Sequence, residues 1–213
     1  MTLPRLVVLA SVGSLLASCA SAGRSTAEPP NAEALERLYR ARTDSDLTRF
    51  SEADVRFVTS MIAHHGQAIE MAALAPERAE SDAVRTLAAR IDNAQNDEID
   101  IMERWLRDRG RAASDGAAHE HGALSGSMPG MLTVAELDEL RTSSGTAFDR
   151  LFLTSMIRHH QGALAMVEEL LAAEAAVQHP ATFDLASDIH VDQATEIARM
   201  ERLLETLDGG GAR

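Results

Sequence analysis

The sequence predicts an all-α protein, a four-helix bundle made of two repeated helical hairpins. Three observations predict it. The composition is 45% apolar but only 3% aromatic, with alanine and leucine abundant and β-branched runs rare, a balance that favours helices over sheets. Long apolar stripes at helical spacing are bounded by capping residues and breakers. The chain also repeats itself at nearly constant offset. Its 213 residues suffice for one ordinary domain with a sizeable core. The formal net charge of −13 argues against a nucleic-acid partner.

Residues 1–18 read as a lipoprotein signal peptide. Arg5 supplies a small positive segment, Leu6 to Ala17 an apolar one, and Leu16-Ala17-Ser18-Cys19 matches the bacterial lipobox. Cys19 is the expected lipidation site. It is the single cysteine, so neither an internal disulfide nor a thiolate cluster is available. Residues 19–50 then comprise the lipidated Cys19, a small polar tether and a short helix from about Ala32 to Arg42. A membrane contact through acyl chains follows, with the protein held in the cell envelope outside the cytoplasm.

Residues 51–109 form the first predicted hairpin. Ser51-Glu52-Ala53-Asp54 caps a long helix to about Ala75, with Pro76 beyond, and a second helix runs from Asp82 to Arg109 before Gly110. Residues 110–132 read as a flexible linker carrying His119, His121, Met128 and Met131. Residues 133–207 hold a short helix opened by the capping box Thr133-Val134-Ala135-Glu136, then the second hairpin. Its helices are expected at about Ala147–Ala176 and Ala181–Leu207, broken at His179-Pro180. Residues 208–213 form a Gly-rich tail.

The repeat is the most informative feature. Phe57-Val58-Thr59-Ser60-Met61-Ile62-Ala63-His64-His65 returns as Phe152-Leu153-Thr154-Ser155-Met156-Ile157-Arg158-His159-His160, and Met71 returns as Met166. In the second helices Leu87, Ile91, Gln95, Glu98 and Met102 correspond to Leu185, Ile189, Gln193, Glu196 and Met200. A helix turns by about 100° per residue, which places Met61, His64, His65 and Met71 within roughly 120° of arc, on the stripe of Phe57 and Val58. Met156, His159, His160 and Met166 do the same. Gln95, Glu98 and Met102 share a face with Leu87 and Ile91, as do Gln193, Glu196 and Met200 with their partners. A carboxylate on a core stripe needs a partner. A facing histidine would supply one, with the glutamate either orienting the ring or ligating metal itself.

Apart from Met1 there are eight methionines; six are repeat positions and two lie in the His-containing linker. Thioether and imidazole donors suit soft ions, above all Cu(I). The candidate metal residues are therefore Met61, His64, His65, Met71, Met102, Met156, His159, His160, Met166 and Met200. Glu98, Glu196, Gln95 and Gln193 stand as ligands or as groups orienting them. His119, His121, Met128 and Met131 form a candidate linker site. The structural alternative is a buried His–Glu hydrogen-bond network that fixes helix register.

With Met-Ile-x-His-His twice, Gln-x-x-Glu-Ile-x-x-Met twice, and Met128-Pro129-Gly130-Met131 before Phe148-Asp149, the chain resembles the bacterial family catalogued as domain of unknown function 305, over about Glu52 to Leu207. The resemblance implies a ferritin-like bundle. Some relatives are envelope copper-binding proteins linked to copper tolerance, so it also implies a similar role. Iron or manganese is less favoured. A ferritin-like dinuclear site needs Glu-x-x-His on two helices and further Glu on the others, whereas here the histidines follow methionine. The expected function is copper sequestration or handover, Cu(I) favoured, with a metal-transfer protein as a candidate partner and no enzymatic activity. The alternatives are a ferritin-like metalloenzyme or oxidase, and a metal-free structural or interaction lipoprotein.

Overall fold

A computed structural model describes residues 32–112, 128–173 and 180–210. The readings that fall on the signal peptide, Cys19, His119 and His121 lie outside these residues. The described chain is all α-helical: α1 (Ala32–Thr48), α2 (Glu52–Ala72), α3 (Ala75–Arg78), α4 (Asp82–Asp108), α5 (Val134–Thr142), α6 (Gly145–Ala172) and α7 (Pro180–Gly210). None of these helices is long and apolar enough to cross a membrane. The core is a helical bundle in which α2 packs on α4 and on α6, and α7 packs on α6 and on α4.

Local capping starts α2, α4 and α5. Ser51 caps α2, its hydroxyl accepting from Asp54 N at 3.1 Å while Ser51 N donates to Asp54 Oδ2 at 2.8 Å. Thr133 and Glu136 make the same reciprocal pair at α5. Such caps contribute about 1 kcal/mol each. The starts of α4 and α6 hold each other. Asp149 of α6 accepts from Glu80 N and Ser81 N just before α4, and Glu80 accepts from Thr146 N and Oγ1 in the first turn of α6. A carboxylate at each helix N-terminus also suits the helix dipole.

Several boundaries differ from the sequence expectation. α1 continues six residues past Arg42 to Thr48, and its first half carries the exposed pairs Glu33–Arg37 and Glu36–Arg40. Pro76 sits in the first turn of α3 and so opens a helix rather than merely ending one. α6 begins at Gly145, whose φ of 64° makes the corner out of α5 that a side chain would resist.

The interior is divided into three levels. One apolar cluster contains Met71, Leu87, Ile91, Phe148, Phe152, Met156 and Met200. The other contains Phe57, Val58, Met61, Met102, Trp105, Met166, Val167 and Ile189. Along each of α2, α4, α6 and α7, residues of one cluster give way to residues of the other. Between them lie His64 and His65 on α2, Gln95 and Glu98 on α4, His159 and His160 on α6, and Gln193 and Glu196 on α7. The bundle therefore has a polar layer at mid-height, closed above and below by apolar packing.

Candidate metal centre

The polar layer takes its position from the repeat. His64 and His65 follow Met61 by less than a turn and a quarter, so all three face inward, and His159 and His160 follow Met156 in the same way. All four imidazoles are buried, none exposing more than 1% of its surface. Burying seven polar residues at one level, with Glu98 half-buried beside them, is costly unless they satisfy one another. His65 Nε2 lies 2.5 Å from Glu98 Oε2, and His160 Nε2 lies 2.6 Å from Glu196 Oε2. Repeat-related residues thus make the same bond twice. His64 Nε2 donates instead to the carbonyl of Pro129 at 3.0 Å. The rings of His64 and His159 meet across the layer, with centroids 3.9 Å apart and planes 39° apart.

Each of the four imidazoles keeps one buried nitrogen without a hydrogen-bond partner: Nδ1 of His64, His65 and His160, and Nε2 of His159. Desolvation keeps His64, His65 and His159 uncharged. Burial is the largest cause in each case, and it lowers His64 and His65 to about 3 and His159 well below its ordinary value. Pro129 opposes this at His64, while the neighbouring imidazoles reinforce it. Glu98 moves the other way. Burial first, then the carboxylates of Asp192 and Glu196, raise it to about 8. A neutral imidazole with one nitrogen tied and the other bare is the form that ligates a metal.

The thioethers stand one level out. Met61, Met102 and Met166 share one apolar cluster, and Met156, Met200 and Met71 share the other. The two trios are repeat-related, and each joins two methionines of one half to one of the other. All six are buried. Among the described residues, no three His, Cys, Asp or Glu side chains stand together in a way that could hold a metal ion. The nitrogens are grouped with sulfur above and below rather than with a ring of oxygens. That donor set fits a soft ion and not a carboxylate-bridged dinuclear centre.

Sequence reasoning missed the segment that closes the layer. The sequence expectation places Met128 and Met131 in a flexible linker, whereas Met128–Leu132 is seated on the bundle. Gln67 Nε2 donates to Leu132 O at 3.0 Å, and Gln67 Oε1 accepts from Leu132 N at 2.7 Å. Gly130, at φ 77°, lies so close to α6 that a Cβ there would stand 2.5 Å from the Arg158 carbonyl oxygen and 2.9 Å from that of His159. Met128 packs against the cluster of Met61 and Met102. The signal available in sequence was the pair of glycines, Gly130 and Gly162; nothing local reveals that they meet.

Fold and site together define a class: helical-bundle proteins with a duplicated His–Glu layer flanked by methionines. The chain belongs to the family described as domain of unknown function (DUF305), whose model matches residues 54–204. It is similar to a DUF305 fragment from Deinococcus radiodurans, at 36% identity over 74% of this chain and 98% of that one, with a TM-score of 0.63. A DUF305 protein from Streptomyces coelicolor, provisionally called secreted, matches at 28% identity over 73% and 94%, with a TM-score of 0.63. CopM in its Cu(I)-bound form matches at 30% identity over 72% and 96%, with a TM-score of 0.56. CopM has also been solved with Cu(II), with silver and without metal. The family thus includes a copper-binding protein. A search of curated proteins gives no match.

Proposed function

We propose that this chain is an envelope-anchored metal-binding protein that holds copper, Cu(I) by preference, for sequestration or handover. One observation carries the reading: four buried imidazole nitrogens in a single layer have no hydrogen-bond partner. A network serving only helix register would pair its buried polar atoms. Here the Nε2 atoms of His64, His65 and His160 are paired and Nδ1 of each is left bare. The residues that would hold metal are His64, His65, His159 and His160, no more than two of them on any one ion, with Met61, Met71, Met102, Met156, Met166 and Met200 as the flanking thioethers. Glu98 and Glu196 orient rings rather than bind metal. Gln95 and Gln193 complete the layer, and Met128 and Met131 lie on the segment that covers it. The copper- and silver-bound relative supports the same choice of ion.

The role is binding rather than catalysis. We read the bundle as two copies of one hairpin, α2 with α4 and α6 with α7, in a ferritin-like arrangement, and the reciprocal packing of these helices supports it. The lipobox at Cys19 supports attachment to a membrane outside the cytoplasm. There thioethers bind Cu(I) without the oxidation liability of thiols, and an exchange partner for the ion would be another copper protein.

The deciding experiment is Cu(I) competition against a chelator of known affinity, using residues 20–213. Binding tighter than micromolar is expected, and replacement of all four layer histidines by Ala abolishes it. Absence of such binding in the unmodified protein overturns the proposal. Retained stoichiometry in the quadruple variant moves the site to His119, His121, Met128 and Met131. For the anchor, Cys19→Ser is expected to release the protein from membranes.

A further inference from the structure

The acceptors behind the imidazoles are not alike. His65 and His160 face carboxylates, across which a proton can sit on either partner. His64 faces a main-chain carbonyl, which can only accept. Nε2 of His64 must therefore carry the hydrogen, leaving the lone pair on Nδ1, the atom that is buried without a partner. At His159, the repeat counterpart of His64, the bare nitrogen is Nε2 instead.

The Pro129 carbonyl reaches His64 because α6 has no side chain at Gly162. A Cβ on Gly162 would collide with the carbonyl oxygen of Pro129 itself, and would stand 2.8 Å from Gly130 Cα. In the repeat, Gly162 corresponds to Gln67, whose amide grips Leu132 on the same segment through both its backbone groups. Two equivalent positions on α2 and α6 thus hold residues 128–132 from either side, one by hydrogen bonds and one by making room.

We propose that Gly162 is a positioning residue for the metal centre: it seats the Pro129 carbonyl on His64, which fixes His64 in the Nε2–H tautomer with Nδ1 open as a preset ligand. A carbonyl partner can never place negative charge behind the ring, whereas a carboxylate does so once ionised, and His64 is then a weaker donor than His65 and His160. The centre therefore offers an incoming soft cation two grades of imidazole. The inference rests on the reading of the layer as a metal centre for its consequence only. The tautomer belongs to the metal-free chain, so its test and the copper test fail separately.

The test uses the whole chain bearing Cys19→Ser, metal-free and labelled with ¹⁵N, with ring tautomers read from long-range ¹H–¹⁵N correlations. The wild type is expected to show His64 solely as Nε2–H. Gly162→Ala is expected to mix the His64 tautomers and weaken Ag(I) binding about tenfold, while the signals of His65 and His160 stay in place. Gln67→Ala, which frees the segment without adding volume on α6, moves His64 in the same direction and decides the matter if Gly162→Ala fails to fold. Gly209→Ala, where nothing lies within 4 Å of the added carbon, leaves His64 unchanged. A wild-type His64 in the Nδ1–H form, or an unaltered tautomer in folded Gly162→Ala and Gln67→Ala, overturns the proposal.

Discussion

The two halves of the bundle agree in their buried His–Glu pairs and disagree on the surface. In the layer the halves present His65 with Glu98 and His160 with Glu196, at nearly the same distance. On the α4–α7 seam they present opposite charges at corresponding positions. Beside Glu98 an acidic cleft is lined by Asp184, Asp188, Asp192, Ile101 and Trp105. At the repeat-related place lie Thr86, Arg90, Arg199, Arg202 and Leu203. Asp188 thus answers to Arg90 and Ile101 to Arg199. An unmatched buried polar group costs about 1–3 kcal/mol, so the carboxylates that pair with His65 and His160 are present in both halves. A surface charge has water as its partner, so exchanging its sign costs little. The difference teaches which positions physical chemistry constrains.

Several measurements break or sharpen that comparison. The largest stability effect is expected where the halves are most alike. Met61→Ala and Met156→Ala each remove a fully buried thioether and should each cost about 2–5 kcal/mol by denaturant melts, with similar values. A clear inequality between them would show that the two apolar clusters are not equivalent. Next come Glu98→Gln and Glu196→Gln. Each weakens the acceptor behind one imidazole and should lower Cu(I) affinity by about 10–100-fold, measured by chelator competition.

The pH dependence of the metal-free chain has two limbs. His64, His65 and His159 are held below their unfolded value of 6.5, so between that value and about 3 the unfolded chain binds more protons. Stability therefore falls as the solution is acidified through this window, by about 1 kcal/mol per pH unit for each proton involved. Glu98, raised to about 8 from 4.5, acts in the opposite sense: the stability it contributes is present below 4.5 and is lost as pH rises through 8. Stability should peak near pH 6.5, and Glu98→Gln should remove the alkaline decline. Smallest of all, Asp188→Asn and Asp192→Asn should shift that decline to lower pH, since both carboxylates help raise Glu98. Arg199→Ala on the other cleft should change stability by less than about 0.5 kcal/mol.

Much of this was legible in the sequence, because helical stripes are local. Met61, His64, His65 and Met71 project to one side by arithmetic, and all four are buried. The capping boxes at Ser51 and Thr133 were equally plain. What could not be read depends on residues far apart in the chain. Gln67 meets Leu132 and His64 meets Pro129, each pair 65 positions apart, and no periodicity encodes such a meeting. The mutual capping by Asp149 and Glu80 escaped for the same reason. Nor does a stripe say which nitrogen of a ring is bare. That depends on the acceptor opposite, and only the assembled bundle supplies it.

The grip of α2 and α6 on residues 128–132 has a consequence for how the protein matures. His64 belongs to the first half, Gly162 to the second, and Pro129 to the connection between them. A chain that ends after α4 contains both residues of the His65–Glu98 pair, yet lacks the α6 surface against which Gly130 lies. The ring of His64 receives its acceptor only when α6 arrives. Under the proposed copper role, the His64 end of the layer is complete only when both halves and their connection have come together.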